Sequence, residues 1–89
     1  MPRIYFTAHL RKLAPMGPIE VEGVTISAAL DRVFARHPAV KGYILDDQNR
    51  LRKHIAIFVE GDRIGDTAGL QRAVGPRSEI HVMQALSGG

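Results

Sequence analysis

The first candidates for chemistry in this chain of 89 residues are its last two, Gly88 and Gly89. Glycine has the largest conformational entropy to lose, so a terminal Gly-Gly is not held by its own packing. It suits a use that needs a thin, mobile, side-chain-free segment. The other reactive groups are weaker candidates. His9 and His81 become neighbours if the first and last strands pair. Two imidazoles without a carboxylate or thiolate beside them do not make a metal centre, however, and these histidines, with His37 and His54, are read as surface residues; no metal site is expected. The chain has no cysteine, which removes disulfides, thiolate nucleophiles and zinc ribbons. Gly61, Gly65 and Gly69 recur every four residues, but no Gly-Lys-Ser/Thr follows, so they are turn glycines and not a phosphate loop. Ser27 and Ser87 lie in a helix start and in the tail, with no base to activate either.

The elements that must position these groups follow from periodicity. Between Arg3 and Leu10, Ile4, Phe6, Ala8 and Leu10 alternate with polar residues or Tyr5, the period of a strand with one buried face. Ala14–Pro18 supplies turn residues, and Ile19–Gly23 alternates again, which predicts an opening hairpin. Thr25 reads as an N-cap, after which Ile26, Ala29, Leu30, Val33 and Phe34 fall on one helical face. Pro38 is expected to end that helix near His37. The stretch 39–53 reads as a connection with a turn at Asp46–Arg50. Ile55, Ile57 and Val59 then mark a strand whose other face carries Ala56, Phe58 and Glu60, with a tight turn at Glu60-Gly61-Asp62 into a short return strand at Arg63 and Ile64. Gly69–Val74 is a candidate helical turn, and Glu79–Leu86 is the last strand, with Ile80 and Val82 inward. The order β-β-α-β-β-β predicts an α+β roll, a mixed sheet with one main helix packed across one face.

On the uncovered face the alternation places Tyr5, Phe58 and Met83, with Ala85 and Leu86 nearer the tail. Several apolar residues clustered on one face beside a mobile end read as a docking patch.

Length and composition bound the rest. A chain of 89 residues, 45% hydrophobic and 24% charged, supports a single core. No apolar run approaches the ~20 residues of a membrane span. The start of the chain lacks the pattern of an export signal, so no membrane partner and a cytoplasmic location are expected. The net charge is +3, with basic and acidic residues interleaved. The densest basic run, Arg50, Arg52, Lys53 and His54, has no aromatic residues interleaved and reads as solvated surface, not as a nucleic-acid site.

The segments "IYFTAHLRKLAP", "VTISAALDRVFARHP", "LRKHIAIFVEGDRI" and "GLQRAVGPRSEIHVMQALSGG" together resemble the MoaD/ThiS ubiquitin-like sulfur carriers, among them the small subunit of molybdopterin synthase. The resemblance covers nearly the whole chain. It implies a β-grasp fold, with residues 1–86 as a single domain and 87–89 as a flexible Gly-Gly tail. It also implies a protein that is a substrate and not an enzyme and that holds no cofactor of its own. A ubiquitin-activating-type adenylyltransferase would use ATP to adenylate the carboxylate of Gly89. A persulfide from a sulfurtransferase or cysteine desulfurase would then displace AMP, leaving a thiocarboxylate for a sulfur-accepting synthase. A C-terminal acyl group can carry sulfur without any cysteine. Gly88 and Gly89 would enter the enclosed catalytic site, and Phe58, Met83, Ala85, Leu86 and Ser87 would contact the partner. The acceptor could be a molybdopterin precursor of molybdenum cofactor biosynthesis, a thiamin intermediate, tRNA or an activated serine. Two rivals remain: a modifier joined through Gly89 to a lysine, and, from another class, a small basic nucleic-acid-binding domain.

Overall fold

The computed structural model describes residues 1–6, 18–64 and 66–84. Strand β1 (Arg3–Phe6) pairs antiparallel with β2 (Ile19–Glu20), with Ile4 opposite Ile19. The expected opening hairpin is thus present in its pairing; the predicted remainder of its first strand and most of its turn lie outside the described residues. Helix α1 (Ile26–Arg36) begins where expected. The Oγ1 of Thr25 accepts the backbone N–H of Ala28 at 3.0 Å, and the five residues of the predicted apolar face are the ones buried. Such a cap satisfies one of the unpaired N–H groups of the first turn and is worth ~1 kcal/mol.

Pro38 ends α1, and it also opens a second helix, α2 (Pro38–Ile44), where a connection was expected. Proline at the first helical position loses no hydrogen bond and brings a preset φ. Val40 and Ile44, four apart, anchor the short helix by burying one face. After it the chain turns at Asp46, whose Oδ1 accepts the N–H groups of Gln48 and Arg50, both at 2.9 Å.

Strand β3 (Ile55–Val59) turns into β4 (Asp62–Ile64) through Glu60 and Gly61, at φ 53° and 85°. Two consecutive left-handed residues match the right-handed twist of the flanking strands. A 3-10 turn at Ala68–Gln71 precedes β5 (Glu79–Gln84), which begins where the last strand was expected; Ala85 and Leu86, the end of that expected strand, lie outside the described residues. The sheet order is β2-β1-β5-β3-β4, parallel between β1 and β5 and antiparallel elsewhere.

Register stacks the core in layers. Ile19, Ile4, Ile80 and Val59 lie side by side across four strands, and Phe6, Val82, Ile57 and Ile64 form the next row. All are buried against Ile26, Leu30, Val33 and Phe34 of α1 and Val40 and Ile44 of α2. Gly23 makes the close approach of β2 to α1 possible, because a Cβ there would stand 2.6 Å from the backbone nitrogen of Ala29.

Candidate functional site

Residues that alternate with this core necessarily project from the opposite face of the sheet. The pairing Tyr5↔His81, His81↔Phe58 and Phe58↔Arg63 sets four side chains in a row across β1, β5, β3 and β4. Met83, opposite Ala56, begins the row beside it. The predicted faces of Tyr5, Phe58 and Met83 are therefore the observed ones, although exposure differs. Met83 is 42% exposed, Phe58 only half-buried, and Ala56 is buried although it lies outside the core cluster.

The Tyr5 and His81 rings stack with centroids 4.7 Å apart and planes 9° from parallel. Offset stacking of this kind adds to simple area burial and stiffens the middle of the face. The Tyr5 hydroxyl donates to Glu79 at 3.2 Å, and His81 Nε2 lies 4.0 Å from the other oxygen of that carboxylate. Beside them Arg3 bonds Glu20 at 3.1 Å; the Tyr5 side chain first, then Glu20, raises the guanidinium pKa further above its ordinary value. The face thus has an aromatic and thioether centre with a charged border at the Arg3 end. That is the composition of contact surfaces whose middle is desolvated while the rim stays wet.

The same strand that carries this face leads to the tail. β5 is the middle strand of five, and its last described residue, Gln84, is paired with Ile55. Ala85, Leu86, Ser87, Gly88 and Gly89, to which partner contact and chemistry were assigned, lie outside the described residues. So does His9, the proposed neighbour of His81. The first and last strands do pair, with Tyr5 and not a histidine facing His81. Among the described residues no three His, Cys, Asp or Glu side chains are grouped to hold a metal ion.

One neighbourhood was not legible in the sequence. Because Ile55 pairs with Gln84, the basic run that precedes Ile55 sits at the root of the tail. A groove of about 600 Å³ there is lined by Asp46, Arg50, Leu51, Arg52, Lys53 and His54, together with Asp66 and Thr67, whose Oγ1 accepts the N–H of Leu51 at 3.1 Å. Backbone N–H groups, chiefly that of Arg50 and also that of Gln48, hold the Asp46 carboxyl below its ordinary pKa. Asp66 accepts from the N–H of Gly69 at 2.8 Å, and Arg52 Nε donates to the carbonyl of Gly42 at 2.8 Å. Among the described residues Lys53 makes no ion pair. Only a non-local register brings residues 50–54 beside residue 84, and nothing in the local pattern announces it.

A five-stranded mixed sheet with parallel first and last strands and helices on one face is the β-grasp fold of ubiquitin-like proteins. It superposes on the crystal structure of SAMP1 from Haloferax volcanii with a TM-score of 0.79 and 25% identity, over 99% of this chain and 98% of that one. It also superposes on a chain of the Amycolatopsis orientalis BexX/CysO complex with a TM-score of 0.83 and 22% identity, over the whole of both chains. For CysO of Mycobacterium tuberculosis the TM-score is 0.84 at 16% identity, over 97% of this chain and 100% of that one. The last two likenesses concern the fold alone. No protein-family model matches the chain. In sequence it is 31% identical over 72 residues to small archaeal modifier protein 1 of Haloferax volcanii, a stretch that spans 80% of this chain and 78% of that protein. The chain belongs to the MoaD/ThiS-type family of small ubiquitin-like modifiers and sulfur carriers. Among its described residues no helix is long and apolar enough to cross a membrane.

Proposed function

We propose that this protein is a carrier activated at the carboxylate of Gly89, a substrate for its partner enzymes and not itself a catalyst. The supporting observation is the family relationship combined with a chain that runs from the middle strand of a β-grasp sheet to Gly88-Gly89. A carboxylate is a poor acyl donor, and adenylation by ATP gives it a good leaving group at the expense of pyrophosphate. A persulfide sulfur then bonds to the acyl carbon as the bond to AMP breaks. Cleavage of the resulting acyl disulfide by a thiol leaves the thiocarboxylate. ATP is used by the activating enzyme, and this chain supplies the acyl group, a slim approach and the sheet face carrying Phe58 and Met83.

The test uses the ubiquitin-activating-type adenylyltransferase of the same organism, ATP, a persulfide donor and a thiol. Intact mass should show the exchange of one oxygen for sulfur at the C-terminus. Deletion of Gly89 should abolish it, and so should one residue added after Gly89, which converts the reactive carboxylate into an amide. Sulfur on a side chain, or sulfur gained by either variant, would rule the reading out. The name of the Haloferax relative, a modifier protein, favours a second use of the same activated carbonyl, capture by a lysine amine. Conjugates would then appear as a ladder of higher masses that the Gly89 deletion removes.

A further inference from the structure

Resting on the proposed activation at Gly89, we propose that the Arg50–His54 loop is an electrostatic docking element that receives an acidic rim on the protein enclosing the tail. The first support is position. The pairing of Ile55 with Gln84 sets this loop beside the last described residue of β5. Five residues, 85–89, follow Gln84, and a fully extended chain of that length reaches no more than about 17–18 Å. Any protein that surrounds Gly89 therefore has its entrance within that distance of Gln84, and Ile55, which faces Gln84, directly follows the loop.

The second support is charge. Arg50, Arg52 and Lys53 line the groove. The carboxylates that share it, Asp46 and Asp66, are each engaged by backbone N–H groups of their own turns. Arg50 leans on Asp46 at 3.3 Å and Arg52 on a backbone carbonyl, while exposed Lys53, of these three cations, makes neither an ion pair nor a side-chain hydrogen bond among the described residues. Opposite charge at an entrance accelerates capture by orienting the encounter, and it acts over about a Debye length, ~8–10 Å at physiological salt.

The third support is what the groove lacks. Among the described residues none that lines it is Phe, Tyr or Trp, the large rings on which successive bases of a single strand stack. A folded acidic surface is the partner that this chemistry fits. The aromatic face and the basic loop then divide the labour, the former supplying contact area and the latter the approach.

Association of this protein with its organism's ubiquitin-activating-type adenylyltransferase, followed by stopped flow, tests the idea. Lys53→Glu should lower the association rate about tenfold at ~50 mM salt and approach the wild-type rate at ~500 mM, with dissociation changed less than about twofold. Arg77→Glu makes the same change in net charge in the turn before β5, at the opposite end of that strand. It should slow association by less than about twofold. Circular dichroism melts of both variants check that the fold is kept. Equal slowing by the two variants would reduce the effect to net charge, and unchanged rates for Lys53→Glu would refute the docking role. In the latter case ATP-dependent pyrophosphate release with the wild-type chain would leave the activation reading standing. No release with the wild-type chain would overturn both. A labelled single-stranded RNA of about 20 nucleotides provides the competing outcome. Tight, steeply salt-dependent binding lost in Lys53→Glu would assign the loop to nucleic acid instead.

Discussion

Met83 is the cleanest single probe of the open face, because at 42% exposure it stands clear of the core cluster. Met83→Asp should leave the unfolding free energy nearly unchanged while weakening binding to the activating enzyme by ~2 kcal/mol or more, the cost of burying a carboxylate in an apolar contact. Titration calorimetry alongside urea unfolding separates the two quantities. A large loss of stability would mean that Met83 supports the fold. Phe58 is a poorer probe, since its half-burial couples any polar substitution to stability. Asp46 answers to pH. Its pKa is lowered in the folded chain, chiefly by the N–H of Arg50. The stabilisation it gives is therefore complete above the unfolded value of ~3.9 and is lost as pH falls through the lower folded value. In urea unfolding across pH, the advantage of the wild type over Asp46→Asn should be constant near neutrality and shrink below about pH 4. An advantage that grew on acidification would contradict the assigned sign.

Elements differ in how openly the sequence declares them. α1 carries a capping threonine and five apolar residues at helical spacing, so pattern and packing agree. α2 is seven residues long, contains Gly42, and begins with a proline that also stops its predecessor. With only Val40 and Ile44 as its buried stripe, it lacks the repeats that periodicity needs, and tertiary packing decides its conformation. The strands were legible in their faces, since Ile55, Ile57, Val59, Ile80 and Val82 alternate as the core requires. Their partners were not, because register between distant segments leaves no local mark, and the tail-root groove depends on it. The junction of β2 and α1 gives an element-level test. Gly23→Ala would place a methyl 2.6 Å from Ala29 N and 2.8 Å from its Cα. Both are backbone atoms within a hydrogen-bonded helix, so relief requires α1 to shift. Denaturant unfolding should show a loss of about 1–3 kcal/mol with an unchanged m-value. No loss would mean that α1 slides freely on the sheet.

At the scale of the whole molecule, the sheet arranges its two ends in a particular way. β1 and β5 lie side by side and point the same way, Arg3 opposite Glu79 and Phe6 opposite Val82. The chain therefore enters β1 at one edge of the pair and leaves β5 at the other. A pull on the tail against the start of the chain would load every hydrogen bond between these strands at once, in shear. The bonds could not open one after another as in an unzipping hairpin. β5 is also clamped on its other side by five residues of β3, from Ile55 opposite Gln84 to Val59 opposite Ile80. A protein handled by its tail gains mechanical strength from this design. Traction along the handle is borne by the middle of the sheet, while the edges β2 and β4 carry little of the load.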